Sequence, residues 1–450
     1  MEHSEIAHSS ETRKVLYALP RLGINLFMGT IDFALLYLYE SVYQLNSILV
    51  GTALMLGKFS VGLYTFLIAW LSDHTNTRWG RRKPYLLIMS PILAVSFIFL
   101  LLPGLFLGPN PEELTIFGWF AFFNVLSQSC YSLTAVYHSW TAEQFSVEER
   151  PRISQYQNLF NFIGLGAIIL MGFLVLTDVK EKLREDPTTI PSNFVFLIIL
   201  FAVLMIGFIY FVAFYMPVES TPMYRTDFKT EFQQILKNKA FMSVVILHSL
   251  SFIAWGLINS IIIGYIDNVL MLKGISLYIT AGSLFIILVI TIDYWRKRIE
   301  TKGKTSTLLL IFKIAAIFYP LSILGVFPFS TNIVFGIIMI SIVASTEAGW
   351  YLFPYLIYAD LAEDHEKNHG ELKAGLFAGF PNLILNIVQA LALFFTGWVL
   401  SLPKVENVPG NSFSLGYVLW GPICDVVFLV MYFFVKKYIK IDFKRSVSDD

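Results

Sequence analysis

The chain has 450 residues, of which 56% are hydrophobic and 14% charged, with 41 Phe and a mean hydropathy of +0.66. A soluble domain runs at roughly 45–50% apolar and about 25% charged; a water-soluble globule is therefore excluded for want of polar surface, and disordered, collagen-like and disulfide-rich secreted chains fail on the same figures. The 32 basic and 32 acidic residues cancel, which leaves no bulk argument for nucleic acid or an acidic partner; the implied partner is the lipid bilayer.

A spanning helix takes about 20 apolar residues, with a range of about 17–25. That criterion predicts an all-α integral membrane protein of twelve transmembrane helices, near 15–40, 46–71, 84–107, 114–140, 153–177, 193–216, 240–264, 276–295, 306–326, 332–358, 373–400 and 414–435. Runs such as 194–215 are apolar without alternation, which favours helices over the strands of a barrel. Lys and Arg concentrate in the connections 72–83, 217–239 and 296–305 and in the tail 436–450, so the positive-inside rule puts both termini in the cytoplasm. Cys130 and Cys424 fall inside apolar runs and read as buried hydrophobes rather than a disulfide or a metal site.

In chain order, the first helix carries Asn25 and Asp32 and the second carries Lys58. A charge near mid-bilayer costs at least about 2.5–3.5 kcal/mol on insertion scales, so it faces a partner or a wet cavity. Lys58 lies about 18 Å from either face, too deep to snorkel fully, and Asp32 is within its reach. The expectation is an Asp32–Lys58 pair, which either holds two helices in register or acts on solute or proton. His138 lies near the cytoplasmic end of the fourth helix, and the fifth carries Gln155, Gln157, Asn158 and Asn161. On the seventh, Trp255 and Asn259 share one face, an arrangement suited to stacking a sugar ring and bonding its hydroxyl. Glu347 sits near the middle of the tenth with no basic partner evident, which makes it the leading candidate for proton coupling, with Asp32 second. The eleventh offers Asn386. Polar side chains also join transmembrane helices without binding anything, so a purely structural role stays open for each.

The chain echoes itself. Helix two ends in Ser72-Asp73 before a basic turn with Gly80-Arg81-Arg82-Lys83, and helix eight ends in Asp293 before a basic turn with Gly303-Lys304. Helix four runs out into Ala142-Glu143 and helix ten into Ala359-Asp360. This points to a six-helix bundle over 1–216, a central cytoplasmic loop over 217–239, a second bundle over 240–435 and a tail over 436–450, a parallel repeat typical of transporters. A carboxylate at a helix C-terminus, as at Asp73, needs a compensating cation; Arg78, Arg81 and Arg82 are at hand. Asp73, Arg78, Gly80, Arg81 and Arg82, with Asp293 in the second half, are the candidate conformational latch.

The stretch Asp73-(x)6-Gly80-Arg81-Arg82 resembles the motif between helices two and three of the major facilitator superfamily. More narrowly, 77–84 (Thr-Arg-Trp-Gly-Arg-Arg-Lys-Pro) resembles the glycoside–pentoside–hexuronide:cation symporters, the melibiose-permease group, as do Ala142-Glu143 before Glu149-Arg150 and Tyr358-Ala359-Asp360 before Gly370. The resemblance implies the major facilitator fold, a cavity lined by helices one, four, seven and ten, and one chain as a complete transport unit. It also implies a sodium site that this chain lacks. Val61 and Thr65 stand where the pattern has two aspartates on helix two, Asn25 where helix one has another, and Thr134 in place of an acid on helix four. His138 stands for the sugar-stacking Trp, and Asn386 for a lysine.

The implied function is secondary active transport of a sugar or glycoside-like solute across the cell membrane by alternating access, coupled to protons rather than sodium. A lipid-like or amphipathic solute, a uniporter and a transport-dead sensor remain the alternatives. No Walker loop, His-Glu-x-x-His, Gly-x-Ser-x-Gly or Cys-His constellation occurs, so no enzyme activity, cofactor or metal is expected.

Overall fold

A computed structural model of the chain describes residues 10–108, 111–146, 149–185, 190–218, 239–369 and 374–439. The chain divides into two compact units, Met1–Arg225 and Thr226–Asp450. Among the described residues, ten helical spans are long and apolar enough to cross a membrane.

In the N-terminal unit, α1 (Glu11–Ala18) starts on the Ser10 side chain, which accepts from the Arg13 N–H at 3.2 Å. It runs into α2 (Pro20–Tyr37) across Leu19, because Pro20 has no N–H with which to continue the ladder. The second span, α3 (Ser47–His74), is capped by Asn46. α4 (Lys83–Leu101) carries Pro84 in its first turn, where a proline costs no hydrogen bond. A short turn α5 (Gly104–Leu107) follows. The expected fourth span divides at Ser132 into α6 (Glu113–Tyr131) and α7 (Leu133–Gln144). The fifth is longer than expected: α8 (Arg150–Met171) passes through a π turn at Gly172–Leu176 into α9 (Thr177–Glu185). α10 (Ser192–Tyr215) closes the unit. The fourth and fifth are the spans that miss the apolarity criterion, because they carry Asn124, Gln128 and His138, and Gln155, Gln157, Asn158 and Asn161.

The C-terminal unit comprises α11 (Lys239–Gly264), α12 (Ile275–Lys302), α13 (Lys304–Phe318), α14 (Ile333–His369), α15 (Ala374–Leu400) and α16 (Gly416–Tyr438). Two expected boundaries move. The basic segment after helix eight is not a loop: α12 stays helical through Lys302, and the whole connection is Gly303 at φ +83°. The connection before α16 holds an antiparallel hairpin, β1 (Lys404–Val408) and β2 (Asn411–Ser414), turned by Pro409-Gly410 with Gly410 at φ +82°. Asn407 and Asn411 tie it to the end of the first span of the unit by donating to the carbonyls of Val269 (2.8 Å) and Asn268 (2.9 Å).

The two units repeat one packing scheme. In the first, α2 packs on α8 and α10, α3 on α6, and α4 on α6 and α10. In the second, α11 packs on α15 and α16, α12 on α14, and α13 on α14 and α16. The first span of each ends in the same device: a π turn (Leu38–Val42, Tyr265–Val269) with an acid at its third position, Glu40 or Asp267, and then a non-glycine residue in the left-handed region, Gln44 (φ 55°) or Met271 (φ 53°). A left-handed conformation costs an L-residue about 1–2 kcal/mol, so its recurrence at matching places is a mark of duplication that composition does not carry. The outer faces are apolar: on α10, Phe196, Val203, Phe211 and Phe214 are all exposed, as a helix that is hydrophobic all round requires when its solvent is lipid.

Candidate functional site

Polar residues gather on one face of α2. Arg21, Asn25 and Asp32 follow one another at intervals of four and seven, which brings them to one side of a helix, and all three are half-buried while most of the rest of α2 is buried. At the far end of this stripe, Lys58 of α3 meets Asp32 at 2.9 Å, with the lysine 3% and the carboxylate 30% exposed. The expected pair therefore forms; its role is a separate question. In the middle, Asn25 donates to the Asn161 carbonyl of α8 at 2.9 Å, leaving its own carbonyl oxygen as an acceptor. At the near end, Arg21 Nη1 lies 3.1 Å from His138 Nε2 of α7, whose ring is exposed. Arg21 was not among the residues expected at a site, although a guanidinium within a span meets the same test that singled out Lys58.

The C-terminal cluster is enclosed. Glu347 of α14 is buried, accepts from the Tyr351 hydroxyl at 3.0 Å and lies in hydrogen-bonding reach of Asn259. Asn259 is buried too, and its Oδ1 has no partner among the described residues. Trp255 and Asn259 do share a face of α11, but Trp255 is 1% exposed. Its ring stacks on Trp350 at 6.0 Å and is flanked by Phe428 at 4.9 Å and Tyr319 at 6.4 Å. A stacking platform has to present a free face; Trp255 is aromatic core of this unit. Asn386 spends its amide on the Asn382 carbonyl of its own helix at 2.8 Å. An acid the sequence did not single out is Asp425, well inside α16, whose Oδ1 is enclosed with no hydrogen-bond partner among the described residues.

The candidate latch separates into a clamp and a local cluster. Gly80, at φ +89°, closes a turn with its N–H on the Thr77 carbonyl, a backbone conformation that glycine adopts at no steric cost. The turn delivers two guanidinium groups to one carboxylate: Glu143 of α7 accepts from Arg81 at 2.8 Å and from Arg82 at 2.6 Å, while Arg82 also donates to Ser72. All three charged side chains are largely buried. Glu143 was visible in the sequence as a motif position and not as the acceptor. Arg78 stays exposed, over the Trp79 ring, and the Asp73 side chain lies outside the described residues. Asp293, the counterpart in the second unit, meets Arg296 at 2.8 Å and Lys297 at 2.6 Å on its own helix, with all three half-exposed or more. Similar loop sequences thus make different contacts, because the first carries its arginines in a turn and the second on a helix. Among the described residues no group of three or more His, Cys, Asp or Glu is placed to hold a metal ion.

A family model described as MFS/sugar transport protein matches residues 16–436. An uncharacterised symporter of Synechocystis is 24% identical over 178 residues, 39% of this chain and 33% of that one. The isoprimeverose transporter of Lactiplantibacillus pentosus is 26% identical over 93 residues, 20% of this chain and 19% of the relative. The matched stretches thus span a third or less of these curated relatives. A D-xylose–proton symporter of known structure superposes with a TM-score of 0.66 at 12% identity, covering 96% of this chain and 99% of its own. At that identity the likeness concerns the fold, the twelve-span major facilitator fold.

Proposed function

The chain belongs to the MFS/sugar transport protein family, a family of transporters and not of enzymes, and from that premise we propose that it moves a sugar or glycoside-like solute by alternating access, driven by protons rather than sodium. The observation that carries the reading is the polar stripe of α2. Arg21, Asn25 and Asp32 are kept on one half-buried face of a helix whose other faces are packed with apolar side chains, and hydroxyl-rich solutes are read by such amides and charges. The names of two similar proteins, an isoprimeverose transporter and a D-xylose–proton symporter, support a sugar.

The coupling group proposed is Glu347, with Asp32 second. Glu347 has neutral partners, a tyrosine hydroxyl and an amide, which serve either protonation state: each donates to the carboxylate, and the hydroxyl accepts from the acid. Sodium would need several hard oxygen ligands with net negative charge, and Val61 and Thr65 supply no carboxylate. The basic connections support both termini lying on the cytoplasmic side of the cell membrane, and the proposed transport unit is one chain with two six-helix bundles.

A second reading, a lipid-like or amphipathic solute, is favoured by one feature. A groove of about 780 Å³ on the N-terminal unit is lined almost wholly by apolar side chains, Tyr64, Ile88, Met89 and Phe122 among them. The deciding experiment is uptake into proteoliposomes of labelled pentoses, hexoses, glycosides, uronates and lysophospholipid under an imposed proton or sodium gradient. Sugar accumulation driven by protons and indifferent to sodium is the expected result. Accumulation driven by sodium alone, or transport of lysophospholipid alone, overturns it.

A further inference from the structure

The Arg21–His138 pair has a feature that a neutral sugar does not use. A guanidinium is always charged and has no acceptor atom, so at 3.1 Å the His138 Nε2 must be the acceptor. The imidazole proton then sits on Nδ1, and the pair presents donors: the remaining guanidinium N–H groups and one ring N–H. Among the described residues, no acid balances Arg21. Carboxylates of the same unit are committed elsewhere: Glu11 to Lys14 and Arg152, Asp32 to Lys58, Glu143 to Arg81 and Arg82, and Glu149 to Lys14. Among the described residues, none pairs with Arg21. Its Nε is enclosed with no hydrogen-bond partner among the described residues, while the side chain as a whole is half-buried and His138 is exposed. A half-buried cation within a span, with no acid beside it among the described residues, has the chemistry to hold an anion.

On the reading that this stripe binds the solute, we infer that the solute is an anionic sugar, its carboxylate or phosphate held by the Arg21 fork and the His138 Nδ1–H. The spacing suits one ring. Asn25 follows Arg21 by about one helical turn, about 6 Å, and offers an acceptor to a ring hydroxyl. Asp32 is about 16 Å further along the helix than Arg21 and already bridged by Lys58, so it does not repel the anion.

The test uses the purified full-length chain and follows thermal unfolding with methyl glucoside, glucuronate and glucose 6-phosphate at matched ionic strength, titrated to obtain Kd. A bound ligand raises the melting temperature in proportion to ln(1 + [L]/Kd). The expected result is that glucuronate or glucose 6-phosphate binds at least about tenfold more tightly than methyl glucoside, the scale of charge-assisted hydrogen bonds. The better of the two acids then identifies carboxylate or phosphate. R21Q is expected to remove that preference, so that the acidic and the neutral sugars bind alike. R21K, which keeps the charge and loses the fork, is expected to retain part of it, and it serves if R21Q fails to fold. Equal binding of acidic and neutral sugars, or a preference that survives R21Q, overturns the inference and leaves the sugar reading standing. No shift with any of the three overturns both.

Discussion

Each charge within a span is tolerated here for its own local reason, and the reasons make different predictions. Lys58 is nearly sealed, whereas Asp32 keeps 30% exposure. Removing one partner of a buried pair leaves an uncompensated charge and costs about 3–5 kcal/mol, so the cost falls on whichever charge stays buried. D32N, which strands the sealed lysine, is therefore expected to lower the melting temperature in detergent more than K58M, which strands a carboxylate already part way to solvent; the reverse order shows that Lys58 has a second partner. Glu347 is a different case, since Tyr351 and Asn259 can hydrogen-bond a glutamine amide as well as an acid. E347Q is expected to fold with a nearly unchanged melting temperature and to retain solute exchange at equal concentrations. It is also expected to lose proton-driven accumulation; retained accumulation moves the coupling role to Asp32 or Asp425. Sequence alone found these acids because charges inside apolar runs stand out. It missed the burial of Trp255 because helical spacing says which residues share a face and not what packs against it.

At the scale of the element, close approach of helices is set by small residues at particular contacts. A Cβ added to Gly421 in α16 would overlap the Tyr319 backbone carbonyl at the 3₁₀ end of α13, and backbone cannot move aside as a side chain can. The Gly421 N–H is also spent on Ser322 Oγ, which in turn donates to the Val418 carbonyl. G421A is expected to cost about 1–3 kcal/mol as overpacking. G207A in α10, where an added Cβ meets nothing within 4 Å, is expected to be neutral or to stabilise by up to about 1 kcal/mol, because alanine loses less entropy in a helix. Thermal unfolding of the two side by side separates local fit from helix propensity. The clamp obeys the same logic with charge in place of volume. E143Q replaces the carboxylate that two buried guanidinium groups share with a neutral amide and is expected to cost about 3–5 kcal/mol, whereas D293N, among exposed neighbours on its own helix, is expected to leave stability nearly unchanged. Equal losses in the two variants would make the second cluster an equivalent clamp.

For the whole molecule, twelve spans put both termini on one side of the membrane, and the proposal that this side is the cytoplasm rests on the basic connections. In a chain whose own thiols are replaced, C130S with C424S, single cysteines at Ser4 and Ser448 are expected to react with a membrane-impermeant maleimide only after the cells are permeabilised. Labelling of either in intact cells reverses the orientation or breaks the even count. Much of this scale was legible in advance. Composition excluded a soluble protein, apolar runs located the spans, and the repeated basic segments pointed to the duplication. These properties depend on the average affinity of whole segments for lipid, and averages survive ignorance of individual contacts. The extension of α12 to Lys302, the hairpin at Lys404–Ser414 and the paired π turns were not legible, since each follows from a local balance of backbone hydrogen bonds that hydropathy does not record. By itself, then, the sequence determined the class, the span positions and the presence of Asp32, Lys58 and Glu347 within them, because burying a charge in lipid is costly whatever surrounds it. Only the tertiary structure decided that Lys58 meets Asp32, that Trp255 is core, that Glu143 receives both arginines and that, among the described residues, Arg21 meets His138 and no acid. Each of those outcomes depends on which helix lies against which, and residues far apart in the chain become partners only when packing brings their faces together.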